Sequence, residues 1–223
     1  MKITWFGHAA FLVEGVNPAG EAVRIILDPY NYPACGGYLP INEEADIVSI
    51  SHHNERYHSD LSAIQGDYEL IDALEHTGNS LTRKGVEFKV FEVYETDDGE
   101  GPNCLVKFEL EGITVAHQGD LGHRVEGGAL EFLENTDVLL ALAGGPPTIK
   151  IPDLVDLVAE TRPPLVLPMH YKTPSCNLDL QPVEDLLAAC EGYPIETPGS
   201  SELILTRDSL PAETTLVVLD HAR

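Results

Sequence analysis

Positive charge is what this sequence has least of: 13 lysines and arginines stand against 37 aspartates and glutamates, a formal net charge of -24 over 223 residues. So sparse a cationic surface argues against nonspecific binding of nucleic acid or anionic membrane, which both require it. Long apolar runs are missing as well, and none approaches the roughly 18 residues that a bilayer-spanning helix needs. Cysteine is scarce. Cys35, Cys104, Cys176 and Cys190 make no C-x-x-C pair and share no regular spacing, which speaks against a disulfide framework and leaves buried free thiols as the expectation. No G-x-x-x-x-G-K-[ST] pattern occurs, so a nucleotide P-loop is unsupported. The stretch MKITWFGHAAFLVEG is interrupted by Thr4, His8 and Glu14 and is not followed by an A-x-A cleavage site. It reads as strand, and a cytoplasmic protein is expected. A surface this acidic and lysine-poor suits high salt, where screening removes self-repulsion; a melting temperature that rises from low to molar salt would bear this out.

What the chain does have is 43% apolar and 22% charged residues, an ordinary globular balance, and length enough for one substantial core. One folded domain spanning 1–223 is expected, since no linker, low-complexity tract or simple repeat divides it. Short β-branched and aromatic runs dominate the first half: KITWFG, AAFLVEG, VRIILDP, ADIVSIS, YELIDAL, VEFKVFEVYE, NCLVKFELEG and ITVAHQGD. VEFKVFEV and CLVKFEL alternate like half-buried antiparallel strands, whereas DIVSI and DVLLALAG are nearly continuous and suit burial on both faces. Helical start and stop signals come later, in GALEFLENT, in IPDLVDLVAETR with its early proline, and in PVEDLLAACEG with its closing glycine. PLVLPMH, SELILTRD and TTLVVLD supply further strands, giving an α/β fold rich in sheet.

Three polar clusters each follow an apolar strand directly. They are His52 to Asp60 after DIVSI, His117 to His123 after GITVA, and Met169 to Thr173 after PLVL. The carboxyl ends of strands are where a rigid base presents loops for chemistry, so clusters remote in sequence can meet there. A metal site requires such a meeting, because one loop rarely supplies about four ligands. Histidine and carboxylate donors without cysteine fit an exchangeable or catalytic ion better than a closed structural one.

MKITWFGHAAFLVEG, IILDPY, ADIVSISHH, HQGDLGH, DVLLALAGG and VLPMHYKT occur in the order of a known family. The chain resembles the metallo-β-lactamase superfamily, in its small metal-dependent hydrolase branch related to the ascorbate-6-phosphate lactonases. The resemblance implies a four-layer αβ/βα sandwich with the site along one edge. The family's signature loop reads H-x-H-x-D-H. Here His52 stands at the first ligand, Asn54 at the second His and Arg56 at the Asp, while His58 takes the last place if the loop has gained a residue. By the same resemblance Asp120 matches the bridging carboxylate, His170 the final His, and Glu95 a further His ligand, with His8 and Asp28 beside the site.

The implied metal ligands are therefore His58, Asp120 and His170 for one subsite, and His52 with Asp120, aided by Glu95, for a second. One divalent ion is expected rather than two, zinc first and manganese or iron also suitable. Arg56 stays protonated and cannot ligate. It either turns away to pair with Glu55 or Asp60, or fills part of the missing subsite and clamps an anion. His117 is expected in the core, and His123 at the substrate. The function this suggests is metal-assisted hydrolysis of a small ester, lactone or phosphoester. Asp120 would orient the water, and Glu95 or His123 would carry the proton. The alternative is a fold that has lost catalysis and serves as a binding or scaffold module, since fold does not fix function; metal content separates the two.

Overall fold

The first three strands are buried on both faces, and their residues alternate between two separate cores. The computed structural model describes residues 1–223. In chain order its strands are β1 Lys2–Gly7, β2 Ala10–Val16, β3 Ala22–Leu27, β4 Ile47–Ile50, β5 Glu69–Asp72, β6 Ser80–Arg83, β7 Val86–Tyr94, β8 Pro102–Leu110 and β9 Ile113–His117. They continue as β10 Val138–Leu142, β11 Leu165–Met169, β12 Ile195–Glu196, β13 Glu202–Ile204 and β14 Thr215–Val217. Three helices, α1 Gly127–Leu133, α2 Ile151–Thr161 and α3 Val183–Ala189, intervene in the second half.

Two mixed sheets result. One has six strands in the order β13-β1-β2-β3-β4-β5, and the other has eight in the order β12-β14-β11-β10-β9-β8-β7-β6. Strands β7 and β8 pair antiparallel, and β7 alternates buried and exposed residues as its sequence predicts. Strands β4 and β10 are buried throughout and pair in parallel with their neighbours, in keeping with their unbroken apolar runs.

Ile3, Trp5, Phe11, Val13, Ile25 and Leu27 point from the six-stranded sheet into the main core, where they meet residues of the eight-stranded sheet and of the helices. In α2 the buried Ile151, Leu154, Leu157 and Val158 form one stripe, and Pro152 occupies its first turn without costing a hydrogen bond. The other face of the six-stranded sheet carries Phe6, Leu12, Ile26, Val48 and Ile50. No helix covers it. Tyr30, Cys35, Tyr38 and Ile41 from the irregular segment after β3, with Cys176 and Leu180, form that layer instead. The layered α/β sandwich holds, with the correction that one of its outer layers is irregular chain. All four cysteines are buried and free, and no helix is long and apolar enough to cross a membrane. The SELILTRD run yields only the short β13 and a 3-10 turn at Arg207–Ser209, while β6 and β12 lacked a clear sequence signal.

Candidate metal centre

His8, Asp28, His52, Glu95, Asp120 and His170 all lie just past the carboxyl ends of strands, those of β1, β3, β4, β7, β9 and β11 respectively, and His58 closes the loop that His52 opens. Three of them have left-handed backbone: His8 at φ 51°, Asp28 at φ 42° and His170 at φ 54°. Such conformations are disfavoured for residues bearing a Cβ and persist where surrounding structure enforces them, often at functional sites.

Asp28 organises one side. Its carboxylate accepts the Ser51 N–H at 2.7 Å, the Ser51 hydroxyl at 2.6 Å and His58 Nδ1–H at 3.0 Å. The single Ser51 proton is spent on Asp28, so the 2.9 Å contact between Ser51 Oγ and His52 Nδ1 requires His52 to donate. Both rings thus direct Nε2 inward, the tautomer and orientation that a carboxylate or hydroxyl behind a metal-binding histidine commonly enforces.

Asp120 is the meeting point. Its Oδ2 lies 3.0 Å from His58 Nε2 and 3.7 Å from His52 Nε2, and its Oδ1 lies 3.1 Å from His170 Nε2. Glu95 Oε1 approaches His52 Nε2 to 3.7 Å. The two shorter contacts are poorly aligned as hydrogen bonds and the 3.7 Å ones are too long: His52 Nε2, His58 Nε2 and Asp120 Oδ1 are shut off from solvent and have no hydrogen-bond partner. A buried polar atom left unpaired costs about 1–3 kcal/mol, so so many together call for another occupant. Donors around a tetrahedral zinc, each about 2.0–2.1 Å from the ion, lie about 3.3–3.4 Å from one another. The observed spacings bracket that value, and the donor set fits a divalent ion.

Two glycines permit this convergence. A Cβ on Gly119, which has φ +59°, would sit 2.1 Å from Asn103 Oδ1 and 2.7 Å from Ser51 Oγ. One on Gly122 would fall 1.5 Å from the Glu95 carbonyl oxygen. The first close approach lets buried Asn103 accept the Asp120 N–H at 3.0 Å, and the second seats the end of β7 against the Asp120 loop.

Charge follows geometry. Burial alone would depress the His58 pKa, but the Asp120 and Asp28 carboxylates prevail and raise it to about 10. Burial would raise that of Asp120, and the charges of His58 and His170 drive it well below the usual carboxylate range. His52 is held down to about 4 by burial and by the neighbouring His58. Glu95, half-buried, is raised by burial and by the charge of Asp120.

His52, His58, Glu95, Asp120 and His170 are thus brought together, and His123 is not. The Tyr94 N–H donates to His123 Nε2 at 3.3 Å and His123 Nδ1 donates to the Arg124 carbonyl at 2.8 Å, so both nitrogens serve backbone. So engaged, His123 stands apart from the side chains that meet at Asp120. His117 is buried and satisfied, donating to the Ala9 carbonyl at 2.8 Å and accepting from the Gly119 N–H at 3.0 Å. Arg56 is exposed. It donates to the Ala34 carbonyl at 3.1 Å and stacks 5.1 Å from the centroid of the Tyr57 ring, neither pairing with Glu55 or Asp60 nor reaching the missing subsite. Asn54 contributes its carbonyl, which accepts the N–H groups of Tyr57, His58 and Ser59 and folds the loop. Ser51 and Asn103 escaped sequence reasoning, because a lone polar residue in or at the end of an apolar strand gives no periodic signal; adjacency to His52 was the only hint for Ser51.

A family model described as a beta-lactamase superfamily domain matches residues 2–170. A UPF0173 metal-dependent hydrolase from Pelotomaculum thermopropionicum is 28% identical over 200 residues, covering 78% of this chain and 85% of that one. A UPF0173 protein from Pyrococcus furiosus is 31% identical over 193 residues, with coverages of 78% and 84%. A crystal structure from Thermotoga maritima, described as a candidate zinc-dependent hydrolase of the metallo-beta-lactamase superfamily, is 32% identical over 98% of this chain and 99% of that chain, with a TM-score of 0.76.

Proposed function

Because the chain belongs to the metallo-β-lactamase superfamily, we propose that it is a metal-dependent hydrolase acting on a small ester, lactone or phosphoester. The observation that carries this reading is the convergence of three imidazole Nε2 atoms on the two oxygens of Asp120 at 3.0–3.7 Å, with buried donors left unpaired. His58, Asp120 and His170 would hold the ion, with His52 and Glu95 beside it. The UPF0173 relative from Pelotomaculum thermopropionicum is named a metal-dependent hydrolase, which supports a metal ion, and the Thermotoga maritima neighbour is described as zinc-dependent, which supports zinc first.

When bound, such an ion supplies Lewis acidity, lowering the pKa of water towards about 7 and polarising a scissile oxygen. The remaining work belongs to the chain. Asp28 and Ser51 hold the rings of His58 and His52 in the tautomer that leaves Nε2 free for the ion. Asp120, kept ionised by its histidine neighbours, offers an oxygen to each side and orients the attacking water. Glu95 is the more accessible carboxylate of the group, its side chain 37% exposed, and its raised pKa suits it to take a proton from water and return it to the leaving group.

The test is metal analysis of protein purified without chelator, followed by turnover assays on lactone, ester and phosphodiester panels. About one ion per chain and a melting temperature raised by added zinc are expected. Less than about 0.2 ion per chain, with no stabilisation by zinc or manganese, would sink the hydrolase reading and favour a binding module.

A further inference from the structure

We propose that His8 is itself a ligand of the divalent ion, supplying from the turn after β1 the donor that the signature loop does not supply at Arg56. The inference rests on the metal-dependent reading above and assigns one more residue to the same centre. His8 is fully buried, and neither of its ring nitrogens has a hydrogen-bond partner. His58 and His52 each have a partner fixing Nδ1, and His117 has one at each nitrogen. The His8 ring is surrounded by the proposed centre: its centroid lies 4.1 Å from that of His170 and 5.0 Å from that of His58. One ring nitrogen from each of the three comes within 4.8 Å of the other two, close enough for small rotations to bring them onto one ion.

The backbone explains why the ring stays there. The His8 carbonyl accepts the Trp5 indole N–H at 3.0 Å and the His170 N–H at 2.9 Å, locking the β1 turn to the end of β11. Both residues adopt left-handed backbone. Arg56, at the place of the missing aspartate, points into solvent and leaves the subsite of His58, Asp120 and His170 one donor short of four. His8 completes it with a neutral imidazole.

The experiment follows the imidazole ¹⁵N resonances of the unsubstituted protein during titration with zinc, and the d–d spectrum and affinity of Co²⁺ in His8→Leu, His8→Gln and His170→Ala. A ring nitrogen of His8 is expected to move to the metal-bound range together with those of His58 and His170. Both His8 variants should lose about tenfold or more in affinity, at least the loss typical of a residue that supports a ligand, and change the Co²⁺ spectrum. If His170→Ala abolishes binding while His8→Leu binds Co²⁺ with unchanged affinity and spectrum, His8 is not a ligand and the hydrolase reading stands. A His8 resonance indifferent to zinc overturns the assignment even if neither variant folds. Failure of the unsubstituted protein to take up any ion overturns both.

Discussion

His58 and His8 are equally buried and their rings lie 5.0 Å apart, yet they belong to opposite sides of the centre. His58 faces a carboxylate at each nitrogen and is held as a cation; His8 faces none and is held neutral. On the Asp28 side each acceptor is matched to a donor, as in a finished hydrogen-bond network. The Nε2 atoms of His52 and His58 are left over from that network, and on the other side both nitrogens of His8 and Nδ1 of His170 are without partners. Burial alone therefore does not assign a histidine its task. What decides is whether its nitrogens are already spoken for: His58 has Nδ1 held by Asp28 and Nε2 turned to the centre, whereas neither nitrogen of His8 has a hydrogen-bond partner.

The comparison can be broken most severely at its hinge. Asp120→Ala removes the only group touching both sides, and zinc content after dialysis should fall to background; retention of about one ion per chain would show that the histidines suffice. Asp28→Asn preserves shape but withdraws the charge behind His58. Zinc affinity measured by calorimetry should weaken about 10–100-fold, and an unchanged value would reduce the Asp28 side to a packing role.

The two sides also differ in their response to pH. The His58 pKa rises from 6.5 to about 10 on folding, so its contribution to the metal-free protein is complete below about 6.5 and disappears as pH climbs through about 10. Denaturant midpoints of metal-free protein should decline across that window, and less steeply in Asp28→Asn. Zinc must displace the same proton, so its affinity should increase with pH over the same range. The smallest effect is expected outside both sides: Arg56→Ala should change stability by no more than about 0.5 kcal/mol and leave zinc affinity as it was. A clear gain in affinity would mean that the guanidinium visits the centre.

Much of this is legible in the sequence. The strand-end clusters announce themselves because polar side chains stop an apolar period abruptly, and Glu95, His52, His58, Asp120 and His170 do meet. The part of His8 was not legible beyond its nearness to the site, since it depends on the turn after β1 being fastened to the end of β11. Nor was the fate of His123, which follows Asp120 closely in sequence but whose Nε2 is taken by the end of β7 and whose Nδ1 is taken by the Arg124 carbonyl. The irregular outer layer was hidden for a plainer reason. Apolar residues such as Tyr30, Tyr38 and Ile41 sit in loops that follow no helical or strand period, so their burial leaves no pattern to read.

That irregular layer ties packing to chemistry. Asp28 opens the segment that covers the six-stranded sheet, and Tyr57, between His52 and His58, packs against the same small core. With no regular helix to hold it, the covering depends on its side chains and on the groups it brings to the centre, so whatever occupies the centre also fastens the cover. Amide exchange should therefore slow most on zinc addition across residues 28–64 and least within the strands β7, β8 and β10 themselves, which would make this face of the protein a reporter of the ion it helps to hold.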